Sequence, residues 1–156
     1  MRKRDRSPSP VPEPGEGKRG EEGYLGYLLR QAAAAYRLRV ERLLSDLDVT
    51  PPQFAVLTML NAYPGLSGAD VARLALLTPQ TVSVIVGNLE RAGSVVRRPH
   101  TVHGRIQQLD LSESGRAMLA TCRERVHAVE TELLRDLPPD AEHAVRRWLV
   151  RVATTL

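Results

Sequence analysis

From Tyr24 to Leu44 apolar side chains recur at three- and four-residue steps, namely Leu25, Leu28, Leu29, Ala32, Tyr36, Val40, Leu43 and Leu44. That spacing is one stripe of a long helix, which the pattern ends near Asp48. Val49-Thr50-Pro51-Pro52-Gln53-Phe54 then reads as a helix start. Thr50 caps, Pro51 suits the first helical position, Gln53 completes a capping box, and Val49 staples onto Phe54. This second helix runs to about Ala62 and stops at Tyr63-Pro64-Gly65. Ser67 opens a short third helix with Val71, Ala72 and Leu74 facing inward, ended by Leu76 and Leu77. Thr78-Pro79 repeats the cap-plus-proline device and starts a fourth helix with Val82, Ile85, Val86 and Leu89 as its buried stripe, closed by Ala92-Gly93. The period then changes. Residues 94–98 and 106–111 read as two strands around a Pro99–Gly104 turn. Ser112 caps a fifth helix in which Leu119, Cys122, Val126, Val129, Leu133 and Leu137 form a seam suited to packing on other helices. After Pro138-Pro139-Asp140 a last helix carries Ala141, Ala144, Val145, Trp148, Leu149 and Val152 on one face.

At 156 residues the chain is about one domain long, with aromatics at 4% and hydrophobic residues at 42%, so a core must come from Leu, Val and Ala. Residues 7–20, SPSPVPEPGEGKRG, hold a single apolar side chain, Val11, and too little surface to offset backbone entropy. We therefore expect 1–20 to be a disordered, basic tail rich in Pro and Gly. The lone cysteine, Cys122, excludes an intramolecular disulfide framework. With no apolar run of membrane-spanning length and no signal segment, the expected compartment is cytoplasmic, without a membrane partner.

The formal net charge of +4 is unevenly placed. The tail carries six basic residues against three acids, and the segments 21–90 and 106–156 are each slightly acidic. Between Arg91 and Arg105 stand four arginines (Arg91, Arg97, Arg98, Arg105) and no acid. Two short capped helices joined by a tight turn and followed by a basic hairpin make a winged helix-turn-helix, whose second helix enters the major groove of duplex DNA. With the apolar stripe of 78–92 turned inward, Thr78, Gln80, Thr81, Ser83, Val84, Gly87, Asn88 and Arg91 face out. Gln80 and Asn88 have the amide chemistry to pair with adenine edges, Thr81 and Ser83 reach bases or phosphates, and Val84 suits a thymine methyl. On the hairpin, Arg97, Arg98 and Arg105, with His100 and His103 nearby, suit phosphates and a narrow minor groove. The alternative for either surface is an ordinary solvated face; the charge asymmetry favours nucleic acid.

The succession TPQTVSVIVGNLERAG, SVVRRP, HGR and LDLSESG, set in this order of helices, resembles the MarR (multiple antibiotic resistance regulator) family over about 21–156. The most specific stretch is Leu89-Glu90-Arg91-Ala92-Gly93 followed by Val96 and Arg97. The resemblance implies a mainly α fold, in which 49–111 is the winged helix-turn-helix with its small β-hairpin wing and 21–48 with 112–156 form a helical dimerisation region. It implies a homodimer, a pseudo-palindromic operator read by helix 78–92 in the major groove with wing 94–111 on the minor groove and backbone, and repression relieved by a small-molecule effector. The family's wing commonly carries Asp-x-Arg, where this chain has His103-Gly104-Arg105. The family also often has arginine at the position of Val84 and a charged pair at Gly87-Asn88. With few cations on this recognition helix, affinity is expected to lean on the wing and the tail.

The family's pocket lies between the dimerisation helices and the DNA-binding lobe, which makes Tyr36, Phe54 and Met59 the candidate effector contacts; core packing is the competing account of all three. Cys122 falls on an apolar seam, where cysteine is normally a small hydrophobe rather than a redox sensor. His100, His103, His127 and His143 lack a completing set of carboxylates or thiols, so no metal site is expected. Ser112 and Ser114 beside Glu113 read as a helix cap and not a nucleophile with its base, and no glycine-rich phosphate loop is present, so neither an enzyme nor a cofactor is indicated. Two other functions compete with transcriptional regulation. One is a winged helix serving as a protein-interaction module, its arginines meeting an acidic partner; the other is a small-molecule binding protein with weak DNA affinity.

Overall fold

A computed structural model of the chain describes residues 11–99 and 107–155. The chain divides into two compact units, one ending at Leu38 and one beginning at Arg39. In the first, a 3-10 turn (Gly17–Arg19) precedes helix α1 (Leu25–Leu44). This departs from the expected tail over residues 11–20. Arg19 donates from Nη1 to the Pro12 carbonyl at 2.7 Å and from Nε to Gln31 Oε1 at 3.3 Å, and Gln31 Nε2 donates back to the Arg19 carbonyl at 3.0 Å. One side chain of α1 thus satisfies a turn that has no apolar surface to bury. The predicted stripe of α1 is only partly covered: Leu25 and Ala32 are exposed, Leu28, Leu29, Tyr36 and Leu43 half-buried, and Val40 and Leu44 buried.

In the second unit the end of α1 leads through a 3-10 turn (Ser45–Leu47) to α2 (Pro51–Ala62), α3 (Gly68–Ala75) and α4 (Pro79–Arg91). Strands β1 (Val95–Pro99) and β2 (Gln107–Leu111) follow, then α5 (Glu113–Leu134) and α6 (Pro139–Thr155). Each helix of the lobe starts where its chemistry dictates. Thr50 and Gln53 form the expected capping box, Ser67 and Asp70 form a second, and Thr78 and Ser112 accept from Thr81 N–H and Gly115 N–H. The core joins Val56, Leu57 and Leu60 of α2 to Val71 and Ala72 of α3, the full predicted stripe of α4, Val95, Leu109 and Leu111 of the wing, and Leu119 of α5.

The two strands pair antiparallel, with Arg97 opposite Leu109 and Val96 opposite Asp110. The hairpin is seated on the lobe by backbone as well as side chains. Leu109 N–H donates to the Leu66 carbonyl at 2.8 Å, and Gly65 N–H, in a turn that needs φ +78, donates to Asp110 Oδ1 at 2.9 Å. The junction of α4 and β1 is a Schellman closure. Gly93 has φ +75, Ser94 N–H donates to the Leu89 carbonyl at 2.8 Å, and Gly93 N–H to the Glu90 carbonyl at 2.9 Å. The start of α5 docks on this corner: the hydroxyls of Ser112 and Ser114 both donate to the Gly93 carbonyl, at 2.6 and 2.8 Å, and Ser112 N–H donates to the Ser94 carbonyl at 3.0 Å.

Some apolar positions depart from the expected stripes. Leu74 is 42% exposed, because α3 has only eight residues and one narrow buried face centred on Val71 and Ala72. Leu133 is 55% exposed: α5, at 22 residues, outruns the 12-residue α2 on which it packs. Leu137 lies beyond the end of α5, which stops at Leu134 ahead of the Pro138-Pro139 pair. On α6 none of the expected face is fully buried; Ala141, Trp148 and Val152 are half-buried, while Ala144, Val145 and Leu149 are exposed.

Leu76 takes a position that favours glycine. It has φ +56 at the end of α3, where Leu77 N–H closes onto the Ala72 carbonyl at 3.0 Å, and its side chain is 90% exposed. A leucine here bears the left-handed steric penalty with no packing to offset it. Leu76→Gly is expected to stabilise the protein by about 0.5–1 kcal/mol, read as a raised urea midpoint at unchanged m-value. A lower midpoint would mean that the side chain makes contacts in solution.

Asp70 ties the start of α3 electrostatically. Its Oδ2 accepts from the Ser67 hydroxyl at 2.6 Å and Ser67 N–H at 3.3 Å, and its Oδ1 accepts from Arg73. The Ser67 hydroxyl and the Arg73 guanidinium hold this carboxyl below the ordinary value of 3.8. A carboxyl lowered in the folded state adds stability that is fully present above its unfolded pKa and lost as pH falls through the folded one. The gap in melting temperature between the natural protein and Asp70→Asn should therefore be constant near neutral pH and close below about pH 4. A gap independent of pH would remove the carboxylate from the account.

Candidate nucleic-acid interface

α3 and α4 are bent 110° from one another across Leu76-Leu77-Thr78, the geometry of a helix-turn-helix. Burial of Val82, Ile85, Val86 and Leu89 turns the other face of α4 outward. Thr78, Gln80, Thr81, Ser83 and Arg91 are exposed, Val84 is 64% exposed, and Gly87 and Asn88 are half-buried. Two of these groups are partly committed within the helix. The Thr78 hydroxyl accepts from Thr81 N–H at 3.1 Å and lies 2.8 Å from the Thr81 hydroxyl. Arg91 donates to Asn88 Oδ1, so the amide of Asn88 faces outward chiefly as a donor. Pairing with both the N6 and N7 positions of adenine, expected of Asn88 from its type, therefore falls first to Gln80.

At the wing root the two described arginines point to different elements. Arg97 Nε donates to Glu90 Oε1 of α4 at 2.7 Å, and Arg98 Nε lies 3.8 Å from Asp110 Oδ2 on the neighbouring strand. The run without acids is therefore a property of the sequence window and not of the surface. Glu90 stands one residue before the window, and Asp110 is carried back beside Arg98 by the antiparallel register. Sequence reasoning missed both carboxylates; the turn at Gly93, which folds β1 back toward the end of α4, was the available signal. It also missed Arg116, which donates to the Leu111 carbonyl at 2.8 Å and borders a cleft of about 340 Å3 with Arg98, Asp110 and Asn61. His100, His103 and Arg105 lie outside the described residues.

Of the candidate effector contacts, Tyr36 is half-buried in the first unit, while Phe54 and Met59 are half-buried on α2 in the second. Phe54 packs against the lobe core. Cys122 is fully buried, and burial pushes its thiol up from the ordinary value, the wrong direction for a reactive thiolate. No single helix among the described residues is long and apolar enough to cross a membrane.

Residues 47–106 match a family model described as the MarR family. Over 134 residues the chain is 34% identical to the HTH-type transcriptional repressor Rv2887 of Mycobacterium tuberculosis, covering 86% of this chain and 96% of that one. The chain belongs to the MarR family. MarR-family structures extend the likeness to three dimensions. The transcriptional repressor CouR, bound to a 23-mer DNA duplex, matches with a TM-score of 0.77 at 28% identity, over 88% of this chain and 96% of CouR. Rv2887 in complex with p-aminosalicylic acid matches with a TM-score of 0.68 at 33% identity, over 85% of this chain and 100% of that one. The chain carries α3 and α4 followed by the β1–β2 hairpin, in the order the family resemblance implies. Among the described residues the fold agrees with the one expected from the sequence: mainly helical, with one two-stranded hairpin.

Proposed function

We propose that this MarR-family chain is a cytoplasmic, non-enzymatic transcriptional repressor that binds a pseudo-palindromic operator as a homodimer and releases it on binding a small-molecule effector. The observation that carries the reading is the exposed polar face of α4, presented at 110° to α3 beside a wing whose root holds two arginines. A helix so placed enters the major groove, and the adjoining wing reaches backbone and minor groove. The DNA complex of CouR and the repressor Rv2887 support operator binding, and the p-aminosalicylic acid complex of Rv2887 supports an effector of small aromatic acid type. The apolar side chains left exposed near the chain ends, Leu25 and Tyr27 on α1 and Val145, Leu149 and Val150 on α6, fit a second copy. In that assembly 21–48 and 112–156 form the dimerisation region and 49–111 the DNA-binding lobe.

The test is a gel-shift series over salt concentration, using duplexes recovered by the wild-type chain from a randomised pool. Arg98→Ala should weaken binding to all duplexes and lower the slope of log K against log salt by about 0.9, one phosphate contact. Gln80→Ala should instead change the preferred sequence, with discrimination at one base pair falling by about 1–3 kcal/mol. Failure of the wild-type chain to enrich any duplex would sink the proposal. Binding to an acidic protein without DNA selectivity would favour an interaction module.

A further inference from the structure

We infer that Glu90 is a positioning residue of the DNA-reading surface, holding Arg97 of the wing root in register with the recognition helix. The inference rests on the DNA-binding reading above. Two features of Glu90 work against stability and against binding. It adds a negative charge to the last turn of α4, where the helix dipole is already negative, and it places that charge on the element facing a polyanion. A neutral residue would remove both penalties. What a neutral apolar residue would also remove is the acceptor for Arg97 Nε, 2.7 Å away across the Gly93 turn.

The bond fixes the guanidinium by its inner nitrogen. A guanidinium is a planar fork, so an Nε–H aligned on a carboxylate sets the plane in which the two terminal amino groups lie. Arg97 remains 42% exposed on its side chain, and Glu90 only 28%. The cation is thus the more exposed member of the pair. Arg97 also borders a cleft of about 230 Å3 with Gly68 and Ala69 of α3 and with Pro79 and Ser83 of α4. Arg97 therefore sits where the wing root meets both helices of the helix-turn-helix. With the ion pair in place, α4 and the wing root meet DNA as one body, and Arg97 arrives without first losing side-chain freedom.

The sign of one substitution separates this role from plain repulsion. In Glu90→Ala the guanidinium charge stays and a negative charge leaves, so electrostatics alone predicts tighter binding to every duplex. Positioning predicts about ten-fold weaker binding to duplexes selected by the wild-type chain, with affinity for an unselected duplex of the same length unchanged or slightly raised. The salt slope should stay at the wild-type value, whereas Arg97→Ala should lower it by about 0.9. Glu90→Gln, which keeps an acceptor oxygen, should recover most of the loss, and Glu90→Ala should have no further effect in an Arg97→Ala background. Melting temperature should hardly change, since an exposed ion pair contributes little to stability. Tighter binding of Glu90→Ala to both duplexes overturns the inference, as does an equal loss on both with a lowered melting temperature. If the wild-type chain selects no duplex at all, the DNA-binding reading itself fails and takes this one with it; selection by the wild type with an indifferent Glu90→Ala overturns the positioning role alone.

Discussion

Gly115→Ala is expected to unfold the junction between α5 and the wing root, at a loss of stability near the upper end of the roughly 1–3 kcal/mol typical of overpacking. A Cβ built on Gly115 would lie 1.9 Å from the Ser94 carbonyl oxygen and 2.9 Å from its carbon. Both atoms belong to backbone held by Ser112 N–H and by the Schellman closure after α4, so neither yields by a rotamer change. Local propensity predicts the reverse, since alanine in place of a helical glycine ordinarily adds up to about 1 kcal/mol. The sign of the change therefore decides between the two. At roughly 4 °C per kcal/mol for a domain of this size, the expected fall in melting temperature is on the order of 10 °C. A melting temperature at or above the wild-type value would show that α5 and Ser94 do not approach as closely as described.

The largest effect is expected at Leu109. Its side chain is 1% exposed, and it is the wing's most buried contribution to the lobe core. Leu109→Ala removes buried methylenes and leaves a cavity that the surrounding helices fill only in part, which places the loss at about 2–5 kcal/mol. The side chain projects from β2 into the lobe core, where β2 meets α3, so its loss should also loosen the wing on the lobe. Measured where the variant is still folded, affinity for a selected duplex should fall while the binding preference set by α4 persists. A stability loss below about 1 kcal/mol would mean that the wing is not seated through this residue. Altered base preference would place the lesion in α4 instead.

The fold was legible wherever a local rule had few competitors. Thr50 with Gln53 and Thr78 with Pro79 mark helix starts by hydrogen-bonding chemistry that acts within one turn, and the stripe of Val82, Ile85, Val86 and Leu89 follows from helical periodicity alone. The family's order of elements could therefore be read before any contact was known. Residues whose reason for being there is tertiary were not legible. Gly115 looks like a weak point in a helix until Ser94 is brought against it. Glu90 and Asp110 look like ordinary surface acids, and a count along the chain even excludes them from the basic segment they serve. The stripes of α5 and α6 were overextended for a related reason. Periodicity says which side of a helix is apolar and is silent on how far along it a neighbour reaches.

The backbone bond from Leu109 N–H to the Leu66 carbonyl has a consequence for how the wing opens. That amide points away from β1 and is protected by the link between α2 and α3, so its exchange with solvent deuterium reports the parting of the wing from the lobe and not the melting of the hairpin itself. The neighbouring bond joins Gly65 to Asp110 across 45 residues of chain. Closing a loop of that length costs chain entropy, which the bond and the apolar seating of Leu109 offset together. The wing root is thus tied to the lobe by bonds that close a long loop of chain, and exchange at the Leu109 amide reads how often that tie opens.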